Sequence, residues 1–316
     1  MISTRSSVAA IACVLATSPL CAHVTPAAAT PFFEVSYADV ANNVVTEGAD
    51  YKSGTIEQTV EGSYSLTTNG GQTFSQNAFA KAGPDGLRAS TRATVMNTIA
   101  GNGIFLLDGD ASADFTLDDV VFSGPAGGTI PVTLLMRLDG TISTNVSGVN
   151  PGRDIATVLI SGGIFDPAGL FSPLRFSGTY RLKNDSGTLS ITRTGILSDY
   201  AVENPPEISA PMLNVPTGRP LELFLSLETL VTVFPADVLT DAISDFSHTL
   251  SFPSSGPVFL LPPGYSVNSA EGGIVDNQYV TGPAAAVPAP STIALMLIGG
   301  LGSGAASVIA SRCRRR

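Results

Sequence analysis

Apolar and polar residues alternate in several stretches through the middle of the chain. In "LELFLSLE", which begins at Leu221, every second residue is leucine. In "SDFSHTLSF", the residues Phe246, His248, Leu250 and Phe252 share one register, and "SYSLT" and "DFTLDDVVF" follow the same pattern. A period of two predicts β-strands that bury one face and expose the other.

Turn-forming sequences separate these alternating stretches, as expected for hairpins. They are Asn69-Gly70-Gly71, Gly83-Pro84-Asp85-Gly86, Asp139-Gly140 and Asn184-Asp185-Ser186-Gly187. Many short strands with turns between them predict an all-β fold, an antiparallel β-sandwich or jelly-roll-like domain.

Only two windows suggest helix. "TPFFEVSYADVANNVV" has mixed periodicity, and "PADVLTDAISDF" starts at Pro235, where a short helix could begin. Pro205-Pro206 is the only internal boundary that the sequence suggests. Because both sides of it are rich in β-forming residues, we expect one domain over residues 30–286, with a second small unit after residue 206 as the alternative.

Charge is distributed unevenly along the chain. The net charge is -10, five of the 16 basic residues lie at the two ends, and all 26 acidic residues lie between them. An acidic body repels phosphate backbones, so no nucleic-acid partner is expected.

The first 29 residues have the features of an export signal. Arg5 precedes the apolar stretch "VAAIACVLA", which is too short to span a bilayer, and Ala27 and Ala29 form an Ala-x-Ala cleavage site. Ala22 is the rival cleavage site, with Leu20 where a small residue is preferred. All three cysteines lie in the two terminal segments, so residues 30–286 contain no disulfide and no thiolate metal site.

An acidic segment from Asp108 to Asp119 resembles a calcium-binding loop. Asp108, Asp110, Ser112, Asp114 and Asp119 occupy template positions that supply oxygen ligands. Ala113 stands where the template requires glycine, and the second half of the segment alternates like a strand. We therefore expect a solvated acidic hairpin followed by a strand, without calcium or any other metal or cofactor.

Catalytic chemistry has little support in the sequence. His248 is the only histidine outside the signal segment, and residues 30–286 contain no Gly-x-Ser-x-Gly nucleophile motif. We expect no catalytic residues. A carbohydrate-binding or hydrolysing domain is the alternative, with sugars stacked on tyrosines, because the chain lacks tryptophan. The candidate tyrosines are Tyr64, Tyr180, Tyr200, Tyr265 and Tyr279.

The C-terminal segment combines an apolar run with a basic end. Thr292 to Ala310 is free of charged residues and long enough to cross a bilayer as a helix. Residues predicted to lie in this membrane helix include Thr292, Leu295, Leu297, Gly300, Gly304 and Ala310. Arg312, Arg314, Arg315 and Arg316 follow, and such residues stay on the cytoplasmic side, which places the body outside.

The residues before this helix are Val287, Pro288, Ala289, Pro290, Ser291 and Thr292. Together with the helix and the arginine tail (residues 311–316), they resemble the PEP-CTERM sorting signal, with alanine in place of the family's glutamate. The resemblance implies processing by an exosortase and a precursor held transiently in the inner membrane. It also implies delivery to the cell surface or extracellular matrix of a Gram-negative bacterium, with exopolysaccharide as a candidate partner.

The leading hypothesis is therefore a non-enzymatic, exosortase-sorted surface or matrix protein. Two alternatives stay open: the carbohydrate-binding or hydrolysing domain, and a periplasmic protein held by a plain single-pass anchor.

We predict that cleavage after Ala29 leaves Thr30 as the first residue of the exported protein. N-terminal sequencing of the protein from its host measures this directly. A chain that begins at His23 would move the cleavage to Ala22, and one that retains Met1 would contradict export.

Overall fold

The computed structural model describes residues 32–41, 44–45, 50–67, 73–96, 107–125, 128–147, 153–201, 207–234 and 239–280. Every helix or strand in these ranges is a β-strand, and every strand pair is antiparallel, so the predicted all-β class is confirmed. The strands are β1 Phe32–Ala41, β2 Val44–Val45, β3 Asp50–Gly54, β4 Gln58–Thr67, β5 Thr73–Gly83, β6 Gly86–Met96, β7 Leu107–Ser123, β8 Thr129–Ser147, β9 Arg153–Phe165, β10 Leu174–Asp185, β11 Thr188–Gly195, β12 Ile208–Pro216, β13 Pro220–Phe234, β14 Leu239–Ser251, β15 Phe259–Leu260, β16 Ser266–Asn268, β17 Ile274–Val275 and β18 Gln278–Tyr279.

Two large sheets contain nearly all of these strands. The nine-stranded sheet has the order β11-β10-β9-β13-β7-β1-β2, with β3 also on β1 and β16 also on β7. The seven-stranded sheet has the order β12-β8-β14-β6-β5-β4, with β15 on β8. The pair β17-β18 forms a separate small hairpin.

The two large sheets pack face to face, and their strand orders run alongside each other. β10 lies against β8 and β12, β9 against β8 and β14, β13 against β14 and β6, β7 against β6 and β5, and β1 against β5 and β4. Each sheet therefore buries one face against the other, and its second face is free to carry polar residues.

β13 lies at the centre of the nine-stranded sheet, where it pairs with both β7 and β9. The leucines at positions 221, 223, 225 and 227 are each exposed by 2% or less, which confirms the buried face that the alternation predicts. Burying a leucine side chain contributes about 1.5–3 kcal/mol, so each of these four leucines stabilises the core appreciably. Phe246, Leu250 and Phe252 are buried from the opposite sheet.

Strands on either side of Pro205-Pro206 share both sheets. β12 pairs with β8, and β13 is inserted between β7 and β9, which both precede it in the chain. Residues 207–234 therefore complete the sheets that the earlier residues begin.

Two of the predicted turns connect hairpins, and one is wrong. The Gly83–Gly86 turn joins β5 to β6, and the Asn184–Gly187 turn joins β10 to β11, where Asn184 Oδ1 accepts the Gly187 N–H at 3.0 Å. Asn69-Gly70-Gly71 lies outside the described residues.

Asp139-Gly140 is not a turn, because β8 runs unbroken through it. The neighbouring strand β14 shifts register beside it, between Asp245 and Thr249. A Cβ on Gly140 would lie 2.3 Å from the Phe246 ring and 2.5 Å from the Asp245 carbonyl oxygen. Glycine is required here for close packing inside a sheet and not for chain reversal.

The two windows that suggested helix contain strands. Phe32–Ala41 is β1, and β14 begins at Leu239, where Thr240, Ala242 and Ser244 are buried on alternate positions. From Leu239 onward, the period of two outweighs the predicted helix. Pro235 and the three residues after it lie outside the described residues.

The predicted acidic hairpin is also wrong. β7 is a single strand from Leu107 to Ser123, in which Gly109, Ala111 and Ala113 face the core while the intervening acidic residues face outward. Pairing with β1 on one side and β13 on the other holds the segment straight.

The end of the described chain is fastened to β7 by Asp119. Its carboxylate accepts hydrogen bonds from the Ser269 hydroxyl, from the Ala270 N–H at 2.7 Å and from the Glu271 N–H at 3.0 Å. Glu271 in turn accepts the Asp118 N–H at 2.7 Å. These charge-assisted bonds hold residues 269–271 against the sheet.

A buried carboxyl lies at the opposite end of the sandwich. Asp154 of β9 is fully buried, is paired in register with Val233, and neither of its carboxyl oxygens has a hydrogen-bond partner in the described part of the chain. Burial first, and then the charge of Asp241, raise the pKa of Asp154 to about 7.

This raised pKa predicts that stability decreases with rising pH. The unfolded chain releases the Asp154 proton near pH 4, whereas the folded chain keeps it to about pH 7, so the contribution of Asp154 to stability is largest below pH 4 and is lost as pH rises through 7. Relative to the Asp154→Asn variant, the free energy of unfolding of the wild type should fall by up to about 4 kcal/mol between pH 4 and pH 7. Urea unfolding at several pH values measures the difference. The exposed-site variant Asp199→Asn should keep the wild-type slope, and equal slopes for Asp154→Asn and wild type would contradict the assignment.

Candidate functional site

The outward-facing residues of the nine-stranded sheet form rows across its strands. One row contains Thr116 of β7, Phe224 of β13, Gly163 of β9 and Arg175 of β10, each paired with the next. Because Leu223 and Leu225 on either side of Phe224 are buried, this row faces away from the core.

A groove of about 440 Å³ opens in this face next to Gly163, lined by Ser161, Gly162, Phe165, Arg175, Phe176, Ser177 and Phe224. Phe224 lies beside Gly163 on β13, Phe165 lies two positions further along β9, and Ser161 and Ser177 supply hydroxyl groups. We call these residues, with Arg175, the aromatic notch. A Cβ on Gly163 would lie 2.3 Å from the Leu174 carbonyl oxygen, so close approach of β9 and β10 requires glycine and leaves the space between the rings open.

Arg175 lies at the rim of the aromatic notch. Its guanidinium carbon is 5.6 Å from the centroid of the Phe165 ring, a cation–π distance, and its side chain is exposed. None of the ion pairs in the described ranges includes Arg175. The ring therefore positions the guanidinium while leaving its N–H donors available to a ligand.

The turn after Phe165 is fixed by a buried carboxylate. The Asp166 side chain is 1% exposed, pairs with Arg219 at 2.9 Å, and accepts the N–H groups of Ala168 and Leu170 at 2.9 and 2.8 Å. A carboxylate with an ion pair and two backbone donors is held in one place, and it fixes the end of β9 that carries Phe165.

On this outer face, β10 presents basic and hydroxyl side chains followed at its end by Asp185. Arg175, Ser177, Thr179, Arg181 and Lys183 follow one another at every second position, and we call them the basic stripe. The Lys183 ammonium pairs with Asp185 at 2.7 Å, whereas no described carboxylate forms an ion pair with Arg181.

The other half of the same face is acidic. Glu34 of β1 pairs in register with Asp114 of β7, and Asp110 and Glu228 lie close by; these four residues are the acidic patch. Burial raises the pKa of Asp114, the charge of Glu34 adds to this, and hydrogen bonds from two serines oppose it. Burial and then the charges of Asp110 and Asp114 raise the pKa of Glu228. The sheet face is thus negative over β1, β7 and β13 and positive over β10.

The calcium-template residues do not fold around a common point. Asp108, Asp110, Ser112 and Asp114 lie along one face of a straight strand over roughly 20 Å, whereas a calcium loop wraps its oxygens around one ion. In the ranges that the structure describes, no three histidine, cysteine, aspartate or glutamate side chains are grouped closely enough to hold a metal ion.

A second concavity, of about 720 Å³, lies on the outer face of the seven-stranded sheet. Glu61, Asn77, Phe79 and Arg92 contribute to its lining. Arg92 is paired with Asp241 at 2.9 Å, so its charge is already balanced within the protein. The aromatic notch, where aromatic rings meet an exposed cation without an ion pair, is therefore the better candidate binding site.

The residues predicted for export and sorting lie outside the described ranges. These are Ala27 and Ala29, the motif from Val287 to Thr292, the apolar run to Ala310, and the arginines at 312, 314, 315 and 316. The described residues include no helix that is long and apolar enough to cross a bilayer.

The other candidates from the sequence are distributed through the fold. His248 lies in β14, within the register shift between Phe246 and Leu250. Tyr180 and Tyr200 are buried, with ring centroids 5.7 Å apart in an edge-to-face contact, so they belong to the core and offer no sugar-stacking surface. Tyr265 and Tyr279 are half-buried.

The sequence alone did not indicate Phe165, Phe224 and Arg175 as binding residues. They become neighbours only through the pairing of β9 with β13 and with β10. The local signal was present in "LRFSGTYRLK", where basic and hydroxyl residues occupy every second position.

Comparisons with protein-family models, with characterised proteins and with solved structures gave no match for this chain. Its function is therefore inferred from the geometry above and from the two terminal segments.

The closeness of β9 and β10 at Gly163 predicts that Gly163→Ala destabilises the fold. The new methyl group meets a backbone oxygen, and separating the strands should cost about 1–3 kcal/mol, more than the about 0.4–1 kcal/mol gained from a stiffer unfolded chain. Urea unfolding measures the change. Ser161→Ala on the same face of β9 is the control, expected within about 0.5 kcal/mol of wild type. A Gly163→Ala protein as stable as wild type would disprove the close approach.

Proposed function

We propose that the chain is an exported precursor that an exosortase processes, and that the released body acts without catalysis at the cell surface or in the extracellular matrix. The observation that carries this proposal is the order of the terminal parts. The Val287–Thr292 motif, an uncharged run to Ala310 and a cluster of arginines follow an acidic body, and a signal-like segment precedes it.

The charges of these parts favour one orientation. Arginines next to an apolar run stay on the cytoplasmic side, because moving each through hydrocarbon costs several kcal/mol. The body would then emerge on the far side, where Pro288 and Pro290 would hold the motif extended and open to an enzyme.

The last described residue is close in sequence to the motif. The Val280 N–H donates to the Gly273 carbonyl at 2.9 Å, and only six residues separate Val280 from Val287. The seven steps from Val280 to Val287 span at most about 25 Å. Processing would therefore take place beside the end of the sandwich that Asp119 fastens, without requiring the body to unfold.

The outer faces of the body support a binding or matrix role. Both concavities are open sheet faces lined by serine, phenylalanine and arginine. A broad polar face offers many weak contacts to an extended partner, whereas a catalytic site requires a convergent set of groups.

Carbohydrate binding is the second candidate function, and the aromatic notch favours it. Rings that flank a hydroxyl-lined groove resemble the contact surfaces that proteins offer to small polar-apolar ligands. With this candidate we also propose that the two-sheet body is a jelly-roll-like sandwich, an architecture that recurs in lectins.

The sorting proposal predicts that the motif prolines are required for release. Pro288→Ala combined with Pro290→Ala should leave full-length protein in the inner membrane, because the segment then becomes able to extend the helix. Intact-mass analysis of each fraction from the native host measures the outcome. Pro283→Ala, outside the motif, should be released normally. Wild-type protein that still carries Arg316 and remains in the inner membrane would make the tail a plain anchor.

A further inference from the structure

We propose that the outer face of β9 and β10 is a binding track for an acidic polysaccharide. Pyranose rings would stack on the phenylalanines at the two ends of the track, and uronate carboxylates would bind the arginines between and beside them. The proposal extends the carbohydrate-binding candidate and does not depend on how the tail is processed.

The first end of the track is the aromatic notch. One face of a pyranose ring consists largely of C–H groups, and such a face packs against an aromatic ring. Phe224 and Phe165 line the groove together with Ser161 and Ser177, whose hydroxyls can exchange hydrogen bonds with sugar hydroxyls. The guanidinium of Arg175 presents donors at the same rim, in a fork that matches a carboxylate.

The middle of the track is the basic stripe. From Arg175 to Lys183 the strand covers about 26 Å, which exceeds the length of a single monosaccharide. Two of its three cations, Arg175 and Arg181, form no ion pair with a described carboxylate. Unbalanced cations on one face favour an anionic ligand over a neutral one.

The second end also combines an arginine with a phenylalanine, but here Arg153 lies in register beside Asp185, so its charge is partly balanced. Arg153, at the start of β9, lies over the ring of Phe234 on β13, with its guanidinium carbon 5.7 Å from the ring centroid. Phe165 and Arg153 are twelve positions apart on β9, about 40 Å along the strand. Two arginine–phenylalanine pairs at this separation suit an extended chain rather than a compact ligand.

The acidic patch limits where the polysaccharide can bind. Glu34, Asp114 and Glu228 would repel carboxylates from β1, β7 and the part of β13 between Phe224 and Phe234. The anionic ligand is thereby confined to the β9–β10 half of the sheet, although the protein as a whole carries a charge of -10.

Calorimetric titration of the full chain in a non-ionic detergent tests the proposal with three probes: oligogalacturonate, neutral dextran oligomers and linear polyphosphate. We expect oligogalacturonate to bind, with an affinity that falls as salt is raised, and the other two probes to bind at least about tenfold more weakly. Equal binding of polyphosphate would mean that charge alone is recognised and would overturn the role of the rings. Preferential binding of dextran, or no binding of oligogalacturonate at millimolar concentration, would overturn the proposal as well.

Variants separate the two ends of the track. Phe224→Ala and Arg175→Gln should each weaken oligogalacturonate binding about tenfold or more. Phe234→Ala should weaken only oligomers long enough to reach the second end. Phe79→Ala and Arg137→Gln, which alter the outer face of the seven-stranded sheet, are the matched controls and should bind like wild type. If the controls lose as much affinity as the track variants while all variants unfold at the wild-type temperature, the proposed track is wrong. Tail processing is tested separately by intact mass, and its outcome does not depend on these binding results.

Discussion

The burial of alternate leucines on β13 is the constraint on which the rest of the structure depends. This strand pairs with β7 and β9 and packs against β14 and β6, so it contacts strands from both sheets. A slip of one residue would expose Leu223 and Leu225 and bury Glu222 and Glu228, which is strongly unfavourable. The core therefore sets the register, and the register sets which residues meet on the outer face.

On the outer face, the register decides which residues become neighbours in the candidate binding site. With β13 held in place, Phe224 lies beside Gly163, and Gly163 lies beside Arg175. The same register places Asp114 next to Ser226, so carboxylates gather on one half of the sheet while β10 presents cations on the other. The net charge of -10 does not reveal this separation, because it is a single total for strands that carry charges of opposite sign.

Much of the fold was predictable because burial of one sheet face produces an alternation of apolar and polar residues along each strand. The alternation in "LELFLSLE" and "SDFSHTLSF" indicated strands, and the glycine-rich turns at Gly83–Gly86 and Asn184–Gly187 marked hairpins. The errors arose where two causes produce the same local pattern. Gly140 resembles a turn residue but makes room for Phe246, and the acidic residues of β7 resemble a loop but form one face of a strand.

The candidate site was far less predictable. The pairs that form the aromatic notch join residues 12 and 61 positions apart, and no local pattern encodes which strands become neighbours. Tyrosines attracted attention as sugar-binding residues, but Tyr180 and Tyr200 pack in the core. The aromatic surface is supplied instead by Phe165 and Phe224, whose positions in the alternation face outward.

Because residues 207–234 complete both sheets, we expect the two sheets to unfold as one cooperative unit. Native-state hydrogen exchange measured along the chain tests this expectation. We expect the amides of β7, β9 and β13 to exchange slowest and together, through global unfolding, and those of the edge strand β11 to exchange earlier through local opening. Exchange of residues 207–234 as a separate, less stable unit, while β7 and β9 remain protected, would contradict the account.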